Sequence, residues 1–309
     1  MVELDYNRID PELRPALEGF PALDLNRDNI VKMRALLAEN AAPPSPFAVQ
    51  EQQHQIATDD GNQVPVIIYK SSDHTPQPAL LWIHGGGYIM GNVADDRAKM
   101  FAAKLDCTVV SVDYRLAPEH PFPAGPNDCL AALRWLAAHA NELGVDNTRI
   151  AIGGASAGAG MAAGVALMNR DHDNIPLRLQ LLLYPMLDNL HATDSGQIKN
   201  HPVWKRSTSF NAWEMYLNGE PGLQASPYAA ASRATDLTGL PPAYLCVGAE
   251  DLFRDENLIY AERLRNANVP CEMAVFPGVF HAGESFVPNA AVSKRMTSSF
   301  VAALEHALA

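Results

Sequence analysis

Basic residues are the scarce charge in this 309-residue chain: 23 Lys and Arg stand against 35 Asp and Glu, a net charge of -12. A surface of that sign repels phosphate backbones and anionic lipid headgroups, so nucleic acid is excluded as an expected partner and a small neutral molecule is favoured. Cysteines are also few, and Cys107, Cys129, Cys246 and Cys271 show no CxxC spacing. They lie in apolar runs, which excludes a disulfide framework or a zinc site and reads as reduced core thiols. A basic start followed by an apolar stretch is missing from the N-terminus, so no secretory signal is read and a cytoplasmic location is expected. Residues 150–168 form a 19-residue run without charge, but five glycines and seven alanines within it make it too weakly hydrophobic for membrane insertion. A buried strand turning into a packed helix accounts for that run better.

What is present points to one large α/β domain with an appended subdomain. Hydrophobic residues make up 48% and charged residues 19% of the chain, with Gly and Pro dispersed and no internal repeat, so disordered, collagen-like and coiled-coil classes are excluded. Short β-rich runs are read at 64–69, 79–84, 108–113, 149–153, 179–184, 243–248 and 272–276. Several are continuously apolar, as strands covered on both faces should be. Helical patterns fall between and after them at 94–104, 128–142, 157–170, 256–267 and 290–307. That alternation predicts a mostly parallel sheet with helices on both sides. Residues 1–45, read as helical with 28–39 the best stretch, and the gap between Tyr184 and Ala243 fall outside it. Both are candidates for one accessory cap. Trp204, Phe210, Trp213, Met215 and Tyr216 in the gap suit either a mobile apolar lid or a small second core.

Gly154-Ala155-Ser156-Ala157-Gly158 follows an apolar strand and opens a helix, the context in which a sharp turn exposes a nucleophilic serine. Only small residues on either side let strand and helix approach closely enough for such a turn. His84-Gly85-Gly86-Gly87 follows another apolar strand, and from this composition a chance match is expected only ~0.003 times per chain. Consecutive glycines can turn backbone N–H groups toward a developing oxyanion. Gly86, Gly87 and Ala157, the residue after the serine, are therefore the expected donors.

A serine hydroxyl needs a base, and the base needs an orienting acid. His281 follows the last strand and the turn Pro277-Gly278, where a loop at the C-terminal sheet edge carries it over the serine. His172, His191, His201 and His306 sit too near Ser156 in sequence, in the cap or in the tail. The acid belongs after 243–248, where Glu250, Asp251, Asp255 and Glu256 follow. Asp255 is expected to cap the next helix, with Glu256 in its first turn. Of the remaining pair Asp251 is favoured over Glu250, because the shorter side chain orients more rigidly. Glu119 and His120 lie in a run with Pro118, Pro121 and Pro123 and read as structural support. His84 is expected to orient its glycine loop.

His84-Gly85-Gly86-Gly87, the segment from Tyr114-Arg115-Leu116-Ala117-Pro118-Glu119 to His120-Pro121-Phe122-Pro123-Ala124, the Ser156 turn, and Asp251-Leu252-Phe253-Arg254-Asp255-Glu256 before His281 together resemble the hormone-sensitive-lipase family of carboxylesterases. The resemblance spans about residues 60–285. It implies an α/β-hydrolase fold with a mostly parallel eight-stranded sheet in residues 46–185 and 240–309. It also implies a helical cap made from N-terminal helices in 1–45 and an insertion at 186–239. The expected activity is hydrolysis of short- to medium-chain carboxylic esters by acyl-enzyme chemistry. Ser156, Asp251 and His281 would form the triad, Gly86, Gly87 and Ala157 the oxyanion hole, with a small neutral ester as substrate and no metal or organic cofactor. A homodimer is left open. The chain departs from the family at Ala155, at Leu252 and at His281-Ala282-Gly283, the last leaving an aromatic pocket wall absent or moved to Phe286. A non-catalytic receptor on the same fold is the rival from another class, and the presence of His281 argues against it. Amidase and thioesterase activity stay open, because one triad serves all acyl transfers.

Overall fold

The protein, known here from a computed structural model, is described at residues 3–18, 24–39, 45–219, 222 and 224–309. Eight strands form one sheet: β1 (Gln50–Ala57), β2 (Gln63–Lys70), β3 (Gln77–Ile83), β4 (Thr108–Val112), β5 (Val145–Ala155), β6 (Gln180–Leu183), β7 (Ala243–Gly248) and β8 (Cys271–Phe276), in the spatial order β1-β2-β4-β3-β5-β6-β7-β8. The β1/β2 and β2/β4 pairs are antiparallel and every later pair is parallel. This is the mostly parallel eight-stranded sheet that the family resemblance implies, one strand more than the seven read from the sequence. Its first strand had no counterpart among the expected ones. β1 lies at the sheet edge with only Ile56 buried, so its sequence, Gln-Glu-Gln-Gln-His-Gln-Ile-Ala, carries no apolar alternation to read.

The α-helices are α1 (Ile30–Glu39), α2 (Asp96–Leu105), α3 (Ala124–Ala138), α4 (Ala157–His172), α5 (Arg206–Leu217), α6 (Arg254–Asn266), α7 (Gly283–Phe286) and α8 (Ala291–Leu308). Side chains along β3 alternate between two cores. Leu81 and Ile83 join α3, α4 and α6 on one face, while Leu80 and Trp82 join α2 and α8 on the other. The uncharged run 150–168 divides between the end of β5 and α4, which is buried from Ala157 through Asn169. Among the described residues no helix is long and apolar enough to cross a membrane. Cys107, Cys129 and Cys246 are buried thiols and Cys271 is half-buried.

The two stretches outside the α/β alternation depart from expectation in detail. Of the N-terminal residues read as helical, 1, 2, 19–23 and 40–44 lie outside the described residues. In the rest, only α1 is an α-helix. Tyr6–Arg8 and Arg14–Leu17 are single 3-10 turns, with Pro11 between them and Pro15 at the start of the second. Leu4, Ile9 and Leu13 pack into the core beside α2 and α8. The gap after β6 contains α5, which sequence reading did not mark. Its buried positions include Thr208 and Ser209 along with Ala212, Trp213, Met215 and Tyr216, so no clean apolar stripe appears. Nor do its aromatics form a second core. Tyr216 stacks on Tyr88 with ring centroids 4.1 Å apart and Trp213 lies 5.0 Å from the same ring, so both extend the main core.

Candidate active site

β5 ends at Ala155, α4 begins at Ala157, and Ser156 between them sits at φ 56 and ψ -121, a conformation that an L-residue holds only under tight constraint. The constraint is visible. Ser156 N–H donates to Leu183 O at 2.9 Å, and Ser156 O accepts from Gly160 at 3.0 Å and from Met186 at 3.1 Å. The flanking glycines have no room for a side chain. A methyl on Gly158 would stand 2.1 Å from Ile83 O and 2.3 Å from His84 O, and one on Gly154 would stand 2.5 Å from Gly158 O. The turn thus presses the start of α4 against the end of β3, which carries the glycine loop.

Three side chains from three separate loops meet at this turn. Ser156 Oγ lies 2.9 Å from His281 Nε2, and His281 Nδ1 lies 2.8 Å from Asp251 Oδ2. His281 and Asp251 are buried, the aspartate completely. The second Asp251 oxygen, Oδ1, accepts the Phe253 N–H at 2.9 Å and so locks the carboxylate. Phe253 stands perpendicular to the His281 ring at 5.0 Å and Tyr184 meets it edge-on at 5.1 Å. Glu250, the rival acid, turns away and pairs with Arg8 at 3.1 Å. Phe286, named as an alternative aromatic wall, is 43% exposed and lies against Phe280, so the rings against His281 are those of Phe253 and Tyr184.

The glycine loop reaches the serine from the β3 side. Gly86 and Gly87 take φ +116 and +63, and among the described residues no acceptor takes the N–H of Gly86, Gly87 or Ala157. His84 is buried beneath the loop with Nδ1 2.8 Å from Gly85 O and its ring stacked on Tyr114 at 4.4 Å. Burial lowers its proton affinity, so the ring is neutral. Tyr88 closes the loop by donating to Met186 O at 2.8 Å. Glu119 accepts both contacts of Arg34 Nη1 at 2.9 Å, and Arg34 Nε donates to Ile89 O at 2.6 Å, which ties α1 to the loop. That is a structural part for Glu119.

Asp255 does not cap its helix. α6 starts at Arg254, and Asp255 Oδ2 instead accepts the Ser195 N–H at 2.7 Å while its own N–H donates to Ser195 Oγ at 3.0 Å. It fastens the insertion to the loop that carries Asp251. Glu256 is buried, accepts the N–H groups of Leu187 and Asp188 at 2.7 and 3.2 Å, and is pushed well above the carboxylate range by burial. Sequence reading missed a buried group behind His281. Arg97 Nη2 donates to Tyr184 OH at 2.6 Å and to Glu284 Oε1 at 2.8 Å, and Tyr184 OH donates to the same oxygen at 2.7 Å. Arg97 and Glu284 are 187 positions apart, so no local spacing marks them. His201, set aside as a cap residue, also lies within the site: its Nε2 is 3.3 Å from the His281 backbone nitrogen.

The alpha/beta hydrolase fold family matches residues 80–284. Carboxylesterase NlhH of Mycobacterium tuberculosis is 35% identical to the chain, covering 97% of it and 96% of the relative. Esterase LipI of the same organism is 36% identical over 86% and 84% of the two chains. A solved bacterial heroin esterase is 39% identical with a TM-score of 0.91, covering 98% of this chain and 99% of that one. With its sheet order, its strand-turn-helix serine and these likenesses over nearly its whole length, the chain belongs to the alpha/beta hydrolase family, among carboxylesterases of the hormone-sensitive-lipase kind.

Proposed function

We propose that this carboxylesterase works through Ser156, His281 and Asp251, by way of an acyl-enzyme. The observation that carries the reading is the hydrogen-bonded chain from Ser156 Oγ through the imidazole to Asp251 Oδ2, at 2.9 and 2.8 Å. His281 Nε2 takes the hydroxyl proton as Oγ attacks the ester carbonyl, and Asp251 holds Nδ1–H and stabilises the imidazolium. The carbonyl oxygen gains its charge in front of the unpartnered N–H groups of Gly86, Gly87 and Ala157, a preorganised set worth several kcal/mol in such sites. Collapse expels the alcohol, which takes the proton from His281. Water then repeats the sequence on the acyl-enzyme and releases the acid.

On this reading 1–45 and 186–239 act together as a cap over the serine. Supporting contacts join the two stretches: Leu4 N–H to Asn200 Oδ1 at 2.7 Å, Asn211 Nδ2 to Leu25 O at 2.9 Å, and Arg27 to Glu214 at 2.9 Å. A closed cap favours small neutral esters with acyl groups of about two to eight carbons, each methylene adding up to ~0.8 kcal/mol until the space is filled. The test is Ser156→Ala. The expected loss is roughly 10⁴-fold or more in kcat with an unchanged circular dichroism spectrum, and an organophosphonate should label wild type at Ser156 but not the variant. A folded variant within tenfold of wild type would mean another nucleophile.

A further inference from the structure

Resting on that reading of the triad, we propose that the cap turn at residues 201–204 is a clasp on the catalytic apparatus, in which His201 is a positioning residue for His281. The turn touches both halves of the site at once. On one side the His281 backbone N–H points at His201 Nε2 at 3.3 Å, with the two rings edge-to-face at 6.4 Å. On the other side the Trp204 backbone N–H points at His201 Nδ1 at 3.2 Å, and the Trp204 indole lies on Gly87 of the glycine loop. A methyl placed on Gly87 would stand 2.3 Å from Trp204 Cη2 and 2.5 Å from Cζ2. Both side chains are buried, His201 completely and Trp204 to within 7%.

The chemistry of the ring gives the clasp its working. Burial drives the His201 imidazole down to about 3, so the neutral ring is the form held near neutral pH. A neutral imidazole has one lone pair for an acceptor and one N–H, yet two backbone N–H groups face it. Only one of the two N–H groups can be accepted, and in the tautomer that carries its proton on Nδ1 the Nε2 lone pair takes the His281 N–H; that is the tautomer the clasp uses. A substrate group that enters beside Gly87 must press on the indole. The indole and the histidine belong to one four-residue turn, so that displacement reaches the backbone of His281. His201 therefore sets the height of the base over Ser156 without touching substrate, and Trp204 sets the room above Gly87.

The experiment compares His201→Leu, which fills the ring's space without an acceptor, with His201→Gln, whose amide oxygen can still take the His281 N–H. Both are made in the full chain and assayed on p-nitrophenyl acetate, with circular dichroism for folding and organophosphonate labelling for the nucleophile. His201→Leu should lose about 10- to 100-fold in kcat with KM within about threefold, and His201→Gln should stay within about fivefold of wild type. Labelling of Ser156 should slow in proportion to kcat. A folded leucine variant with kcat within twofold of wild type overturns the proposal, as does a folded glutamine variant no better than leucine. Should the leucine variant fail to fold, His201→Asn, polar but one methylene shorter than Gln, replaces it as the variant whose acceptor falls short, with the same two outcomes. Wild type that takes no label at Ser156 would sink the triad reading itself, whereas labelled wild type with an indifferent His201 sinks only the clasp.

Discussion

At the turn that carries Ser156 the close contacts are made by backbone, whereas the residues after β6 that lean on the same site are held by side chains. Gly154, Gly158 and Gly160 each bring main chain to within a distance that no methyl could share, and α4 behind them is buried through Asn169. Where the N-terminal stretch and the segment after β6 meet the sheet domain, Arg34, His191, His201, Trp204 and Asp255 do the holding, through individual hydrogen bonds, ion pairs and ring contacts. Main-chain packing has no alternative arrangement nearby, since interiors at this density yield only by moving whole elements. Side-chain clasps can be remade one at a time. A tightly fixed turn at Ser156 and a more adjustable neighbouring segment are thus built in one molecule by two different kinds of contact.

The harshest way to break the rigid half is Gly158→Ala. The new methyl meets two carbonyl oxygens of the β3 end, at 2.1 and 2.3 Å, and neither belongs to a flexible side chain. Either the strand and helix part or the turn loses its shape. We expect no measurable esterase activity and a melting temperature lower by ten degrees or more, read by steady-state assay and calorimetry. A variant that melts like wild type and retains activity would show that the elbow has slack, and the contrast with the cap would fall.

Next in size is the contrast between neighbours Asp251 and Glu250. Asp251→Asn should cut kcat by roughly 10²- to 10⁴-fold with little change in stability, because an amide neither stabilises an imidazolium nor fixes the tautomer. Glu250→Gln should fall within about tenfold of wild type, since its partner is Arg8 at 3.1 Å and not the histidine. Kinetics on both variants under one set of conditions decides the matter. A dead Glu250→Gln beside an active Asp251→Asn would shift the acid by one position.

The same difference in construction governs what could be read before the fold was known. Backbone crowding forces small residues into fixed spacings, so Gly154-Ala155-Ser156-Ala157-Gly158 and the glycine loop stand out in one dimension. Buried parallel strands leave continuous apolar runs, as in Leu181-Leu182-Leu183 of β6, and seven of the eight strands are marked in the sequence. β1 escaped because an exposed edge strand has no buried face to pattern, and α5 because polar Thr208 and Ser209 share its buried side. Asp255 read as a helix cap on position alone, yet its carboxylate goes to Ser195, 60 residues away. The contacts of His201 with His281 and of Arg97 with Glu284 likewise join residues 80 and 187 apart, and such pairs leave no local trace.

The smallest expected effect, and the one that sharpens the view of the cap, concerns His191. Its ring is fully buried between Phe210 at 5.3 Å and Phe253 at 6.0 Å, and among the described residues neither ring nitrogen has a hydrogen-bond partner. Burial, with a smaller push from the Arg206 charge, lowers it to about 3. In the unfolded chain the same imidazole takes up its proton near 6.5. Between those values the unfolded state binds more protons, so His191 is fully compatible with folding above about pH 6.5 and costs stability increasingly as pH falls toward 3, by about 1.4 kcal/mol per pH unit. His191→Phe removes that dependence and keeps an aromatic ring in an aromatic slot. Denaturant unfolding of both proteins at half-unit steps from pH 7.5 to 4.5 should show the variant about as stable as wild type, or slightly more so, at the top. Its advantage should widen steadily below pH 6.5. Shifts at His201 and at the carboxylates are common to both proteins and cancel in the difference. A difference that stays flat across that range would mean that His191 takes a proton without leaving its place, and that this part of the segment after β6 is open to water.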